Sequence, residues 1–210
     1  MKIIGIHGQS RCGKDTVCQI LTESYPNIKF EKQGFADALK VSAARAIGLE
    51  GSWSELITKM DDLKSEGQIN TPWGKISGRQ LLQYYGTEAH RDMFGKDFWL
   101  DQVIPDPFDP ARRANGEYRK CDVLLIPDVR YQNEAERIVE AQCRGYLWLV
   151  RRDVQGHTTG HVSENNVNIG WDQVIDNNNS IDELTDRVKS IFRPIAEDIA
   201  NERIERAIHA

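Results

Sequence analysis

The chain has 210 residues and a formal net charge of −5, with 40% hydrophobic and 28% charged residues. That is long enough to bury a full core without disulfide or metal staples, and it suits one domain, or one domain with an inserted lid. A mildly acidic chain is a poor coat for a nucleic-acid polymer, although a local arginine cluster can still hold a small phosphorylated ligand.

Lys2–His7, K-I-I-G-I-H, is a short apolar run and reads as a buried strand. Gly8–Thr16, G-Q-S-R-C-G-K-D-T, follows it. From Lys14 to about Ser24, Val17, Ile20 and Leu21 recur at helical spacing. A second strand is expected near Glu31–Phe35, then helices from Ala36 to about Ile47 and from Ser54 to about Ser65. Thr71-Pro72-Trp73-Gly74 breaks the pattern. Ser77 or Gly78 opens a helix to about Met93, and another covers Asp97–Val103.

The stretch Pro105 to Arg119 carries Pro105, Pro107, Pro110 and Gly116 and reads as a loop. Val123–Ile126 is a buried strand closing on Pro127-Asp128. Glu134 to Gln142 reads as a helix and Tyr146 to Val150 as a strand. Arg151 to Gly170 is polar and lacks periodicity, which suits a lid. Gln173 to Asp176 is a short last strand. Ser180-x-x-Glu183 is a capping box that opens a final helix carrying Ile181, Leu184, Val188 and Ile191.

Strands alternating with helices imply an α/β fold around a parallel sheet. Ligands in such sheets sit at the carboxyl ends of the strands. The residues to inspect are therefore Gly8–Thr16, Phe35–Asp37, Asp128–Arg130, Arg151–Arg152 and Asp176–Asn179.

Gly8, Gly13 and Lys14 fit the phosphate-loop pattern G-x-x-x-x-G-K, in the required setting of strand, loop and helix. Backbone N–H groups there form an anion nest, reinforced by the helix dipole, and Lys14 would reach the β- and γ-phosphates. The pattern asks for Ser or Thr next, but Asp15 stands there, with Thr16 one place late. Mg²⁺ takes hard oxygen ligands, so Asp15 could bind it directly or through water, or Thr16 takes the hydroxyl role. Arg11 is either solvated or meets a phosphate.

Asp128 ends an apolar strand as a Walker B acid does, where it would hold Mg²⁺ or its water. Arg79, Gln83, Thr87 and Arg91 are spaced by four and form one slowly drifting helix face. Such a stripe is either a solvated face or, with Phe98-Trp99 nearby, a site for a second phosphate and a base. Trp99 reads equally as core. Asp37 either caps a helix or positions an acceptor or metal-bound water; Lys40 lies one turn on. Arg151 and Arg152 begin the lid, where arginines stabilise transferring phosphoryl charge and closure excludes water. His161, with Glu164 beside it, reads as a lid contact rather than a base, because phosphate acceptors are already ionised. Asp176–Ser180, including Asn177 and Asn178, is either a polar turn or a backbone platform for an adenine.

The four cysteines, Cys12, Cys18, Cys121 and Cys143, form no C-x-x-C pair; this argues against zinc and for reduced thiols. With no signal peptide or bilayer-length apolar run evident, the expectation is a cytoplasmic protein without a membrane partner.

Taken together, GxxxxGKDT at Gly8–Thr16, FADALK at Phe35–Lys40, GRQLLQYYGTEAHRDMFGKDFW at Gly78–Trp99, DVRYQNEAE at Asp128–Glu136, HVSEN at His161–Asn165 and IDNNNSIDEL at Ile175–Leu184 resemble the phage-type deoxynucleoside monophosphate kinases of the P-loop nucleoside monophosphate kinase superfamily. The resemblance implies a single P-loop kinase domain over residues 1–210, with an acceptor-binding helical region at 48–119 and a lid at 151–170. It implies transfer of the ATP γ-phosphate to a deoxynucleoside monophosphate with Mg²⁺. Gly8–Thr16 would hold ATP, with Asn177 and Asn178 near its adenine. Asp15 or Thr16 and Asp128 would manage Mg²⁺. Arg79, Arg91 and Arg130 would grip the acceptor phosphate, while Phe35, Gln83 and Trp99 face its sugar and base. Asp37, Lys40, Thr87, Glu134, His161 and Glu164 complete the acceptor set, and Arg151 or Arg152 supplies the lid charge. The location implied is the cytoplasm, the host's for a phage-encoded enzyme, and a homodimer is left open.

Two other readings compete. One is a different small-molecule P-loop kinase, of the dephospho-coenzyme A or phosphomevalonate type; the Arg79–Trp99 block argues against it. The other is a non-kinase nucleotide-binding switch, for which no base-reading N-K-x-D segment is found.

Overall fold

The computed structural model describes residues 1–72, 74–104, 121–141, 144–153 and 170–209. The chain forms two compact units, one from Met1–Gln33 and Asp106–Ala210, the other from Gly34–Pro105.

The first unit is built on a five-stranded parallel sheet. Its strands are β1 (Lys2–His7), β2 (Phe30–Lys32), β5 (Val123–Ile126), β6 (Gly145–Arg151) and β7 (Gln173–Asp176), in the order β2-β5-β1-β6-β7. The register places Gly5 opposite both Ile126 and Leu147. β1 and β5 are buried along their whole length, as runs covered on both faces must be.

On one face Ile4, Ile6, Val123, Leu125, Trp148 and Val150 pack against helices α1 (Lys14–Ser24) and α8 (Ile181–Ile208). On the other, Ile138 of α7 (Gln132–Glu140) lies so close to β1 that a side chain at Gly5 would strike it. Each large side chain buried this way contributes roughly 1.5–3 kcal/mol. The core stripe of α8 is Leu184, Val188, Phe192, Ile195 and Ile199, so the helix continues well past Ile191 and through Pro194. Ile181 is exposed instead. Ser180 does accept from the Glu183 N–H, at 3.3 Å, while the Glu183 carboxylate takes the Asn179 amide at 2.7 Å.

The second unit holds α2 (Phe35–Ala46), α3 (Trp53–Glu66), a hairpin of β3 (Gln68–Thr71) and β4 (Gly74–Ser77), α4 (Gly78–Gly86), one π turn (Thr87–Arg91), α5 (Asp92–Phe94) and α6 (Phe98–Val103). Val41, Ala44, Leu56 and Met60 form its core, with Leu81, Leu82 and Tyr85 packed on it. The hairpin was not expected. The alternation around Ile69 and Ile76, and the Thr71 hydroxyl that donates to the Gly74 carbonyl at 2.7 Å, are what make it.

Phe35 requires a correction: it is the first residue of α2, not the end of β2, which stops at Lys32. Gly34 is extended (φ −82°, ψ 155°) and its N–H donates to the Asp37 carboxylate at 2.7 Å, so the helix begins there. The helix expected up to Met93 is likewise not one regular helix, because the π turn interrupts it. The loop Pro105 to Arg119 and most of the segment 151–170 lie outside the described residues.

Candidate active site

The loop after β1 is shaped by three residues. Gly13 has φ 105° and Arg11 has φ 64°, left-handed conformations of the kind that build anion-binding nests. A side chain on Gly8 would run into the Val150 carbonyl and Cys12 Sγ, and one on Gly13 into the Asn177 amide, so the backbone passes close to its neighbours. Lys14 curls over the loop. Its Nζ donates to the Gly8 and Gln9 carbonyls, each at 2.7 Å, and lies 3.8 Å from Cys12 Sγ.

Helix α1 starts here with Gly13 as its N-cap and no side-chain cap on its first N–H groups. Val17, Cys18, Ile20 and Leu21 bury its inner face. An uncapped N-terminus beside a lysine favours a phosphate.

The ends of β6 and β7 fasten this loop. The Asn177 N–H donates to the Arg151 carbonyl at 2.7 Å, and its buried side-chain amide donates to the Cys12 carbonyl at 2.8 Å. Asn178 joins Asp153 through two hydrogen bonds, 2.7 and 3.2 Å. Asn177 therefore braces the glycine loop, while Asn178 ties the segment after β7 to the one after β6. Arg151 and Arg152 are exposed.

Asp15 is 81% exposed and pairs with Lys32 at 2.6 Å, a cation at the end of β2 that sequence reading passed over. Asp128 is half-buried just beyond β5. Next to it the His7 ring, whose Nδ1–H donates to the Val129 carbonyl at 2.8 Å, stacks on Trp171 with centroids 5.1 Å apart. A carbonyl only accepts, so Nδ1 carries the hydrogen. His7 also drew no attention in the sequence, since one histidine at a strand end carries no pattern.

Arg130 is exposed, but Glu134 is buried and its carboxylate accepts the Arg130 and Tyr131 N–H groups at 2.7 and 3.1 Å. That caps α7. Asp15, Thr16 and Asp128 are hard oxygen donors of the kind Mg²⁺ prefers. Among the described residues no cluster of three His, Cys, Asp or Glu could hold a metal alone. Mg²⁺ that keeps water and phosphate oxygens as most of its ligands suits such a sparse donor set.

In the second unit Phe35 and Trp99 are buried. The Trp99 Nε1–H donates to the Gly86 carbonyl at 3.1 Å, and the ring packs edge-on against Phe98. Asp37 caps α2, and Lys40 reaches Asp61 at 3.0 Å and Asp37 at 3.5 Å. A capping box between Ser77 and Gln80 opens α4. Arg79, Gln83 and Thr87 are exposed and Arg91 is half-buried. His161 and Glu164 lie outside the described residues.

The parallel sheet flanked by helices, with a glycine loop between its central strand and the following helix, is the arrangement of a P-loop kinase, a class of phosphotransferases. The family model for deoxynucleotide monophosphate kinases matches residues 54–188, and the chain belongs to that family. The deoxynucleotide monophosphate kinase of Enterobacteria phage T4 is 24% identical over 247 aligned residues, covering 92% of this chain and 99% of that protein. Membership goes against the coenzyme A, mevalonate and switch readings.

Proposed function

We propose that the protein transfers the γ-phosphate of ATP to a deoxynucleoside monophosphate, giving the diphosphate. The observation that carries this reading is the Gly8–Thr16 loop at the end of β1, with Lys14 folded over it, in a chain of the deoxynucleotide monophosphate kinase family.

Gly8, Arg11, Gly13, Lys14 and Thr16 bind the ATP phosphates through backbone N–H groups, the Lys14 ammonium and the α1 dipole. Asn177 and Asn178 hold the rim of this donor site. Lys14 leaves its loop carbonyls for the transferring phosphoryl and offsets its charge. Asp15, Thr16 and Asp128 are the residues that would hold Mg²⁺, which supplies charge neutralisation and orientation to the phosphates when bound. Arg79, Arg91 and Arg130 bind the acceptor phosphate, and Arg151 or Arg152 adds charge at the transferring group. Phe35, Gln83 and Thr87 bound the sugar and base. Trp99 acts there as a buried wall and not as an exposed stacking plate. No general base is required, because the acceptor oxygen is already ionised.

The test is ATP-dependent phosphorylation across the common deoxynucleoside and nucleoside monophosphates, with Lys14→Ala as control. Turnover of at least one deoxynucleotide is expected, falling by about a thousandfold in Lys14→Ala with the circular dichroism unchanged. Turnover of a pantetheine or mevalonate compound and of no deoxynucleotide would overturn the reading.

A further inference from the structure

The π turn in the second unit resolves a geometric problem in the stripe Arg79, Gln83, Thr87 and Arg91. In a regular α-helix each step of four residues overshoots one turn by about 40°, so three steps would carry Arg91 roughly 120° away from Arg79. Two side chains that far apart do not face one small phosphate. Here the Asp92 N–H reaches back to the Thr87 carbonyl, five residues earlier. A π turn closes on the fifth residue and not the fourth, winding about 4.4 residues per turn, so the four-residue step from Thr87 to Arg91, both within the turn, falls about 30° short of a full turn instead of overshooting it. The two α-helical steps before it add about 80°, so Arg91 ends about 50° from Arg79 and not 120°, and the stripe drifts far less.

A π turn is rare and needs support. Two side chains supply it at the carbonyls just before the turn. The His90 Nδ1–H donates to the Tyr85 carbonyl at 2.6 Å, and the Trp99 Nε1–H donates to the Gly86 carbonyl at 3.1 Å. The His90 ring is packed by Tyr85, Trp99 and Phe98, with centroids 4.4, 4.9 and 5.2 Å away.

We propose that His90 is a positioning residue for the acceptor: it holds the π turn open, and the turn swings Arg91 back toward the side of the helix that carries Arg79. The inference rests on the reading of Arg79 and Arg91 as acceptor-phosphate contacts. His90 touches no substrate itself; it acts through Arg91.

The experiment compares His90→Phe, His90→Asn, Arg91→Ala and the double variant His90→Phe/Arg91→Ala by steady-state kinetics. His90→Phe keeps the ring packing and loses the donor; it should raise KM for the deoxynucleoside monophosphate about tenfold, leaving KM for ATP within about twofold. His90→Asn returns an N–H donor near the Nδ1 position and should restore most of the affinity. The double variant should be no worse than Arg91→Ala, because both changes remove the same contact. An Arg91→Ala variant with unchanged acceptor KM would sink the acceptor-site reading itself. An Arg91→Ala effect that multiplies with that of His90→Phe, or a normal acceptor KM in His90→Phe, would overturn the positioning role alone. Histidine nitrogen NMR on the unaltered protein is independent of how the variants fold. Nδ1 of His90 must be protonated, and a tautomer with hydrogen on Nε2 alone rejects the proposal.

Discussion

The side-chain amide of Asn177 donates to the carbonyl of Cys12 at 2.8 Å, tying the end of β7 to the glycine loop 165 residues earlier in sequence. Asn177 is 8% exposed, so the Cys12 carbonyl has little access to water as a substitute donor. Asn177→Ala should lower stability by about 1–3 kcal/mol, the cost of a buried acceptor left unpaired. It should also loosen the loop and raise KM for ATP several-fold, with the acceptor KM unchanged. Urea unfolding and two-substrate kinetics read the two effects separately. A stability loss with normal ATP kinetics would confine Asn177 to the fold.

Asp15 and Lys32 make the opposite kind of pair, 2.6 Å apart but 81% and 50% exposed. Solvent screening leaves such a pair worth under about 1 kcal/mol. Lys32→Ala should therefore shift the urea midpoint little. Asp15→Ala should be equally benign for stability, yet reduce turnover at least about tenfold and raise the Mg²⁺ concentration needed for half-maximal rate. Equal and small kinetic effects of the two variants would make Asp15 an ordinary surface carboxylate.

Cys12 is fully buried in the glycine loop and Cys18 is buried in α1. Burial pushes the Cys12 thiol up despite the nearby Lys14 ammonium, and pushes Cys18 up to about 12. The thiolate is the reactive form, so neither should be alkylated by iodoacetamide at neutral pH in the native state. Mass spectrometry of tryptic peptides should show both sites unmodified until denaturant is added. Rapid labelling of Cys12 in native protein would mean that the loop opens spontaneously.

The framework was legible because its signals are local. An apolar run, two glycines and a lysine at fixed spacing, then helical periodicity, give β1, the loop and α1 without reference to the rest of the chain. The acid after Val123–Ile126 follows from the same rule about strand ends. What sequence could not give depends on groups brought together from a distance. The π turn that interrupts Gly78–Met93 coincides with His90 and Trp99 donating to the Tyr85 and Gly86 carbonyls, contacts that helical spacing does not announce. Lys32 gains meaning only when β2 sets it beside Asp15, and Asn177 only when β7 is laid against the loop. Phe35 was misplaced by apolar pattern alone, because the Gly34–Asp37 cap outweighed its β propensity.

A final prediction concerns Lys2, which is 4% exposed at the start of β1 and pairs with Asp198 and Glu202 of α8, each at 2.5 Å. Burial pulls the Lys2 ammonium down, but the hydrogen bonds and charges of the two carboxylates outweigh it, and the net shift is upward. The Lys2 hydrogen bond in turn holds Asp198 below its ordinary value of 3.8. The two shifts set opposite edges of one window. A raised lysine contributes stability that is complete below its ordinary value of 10.5 and disappears as pH rises through the folded value. A depressed carboxylate contributes stability that is complete above 3.8 and disappears as pH falls through its lower folded value. Lys2→Met should therefore destabilise the protein across the neutral range. The gap between the two proteins should narrow as pH falls from 3.8 through the lower folded value of Asp198, below which Asp198 is protonated with or without its partner. It should narrow again only above pH 10.5. Urea midpoints measured at intervals from acid to alkali give both edges, and a gap independent of pH would show that Lys2 acts on stability through its packed alkyl chain and not through its charge.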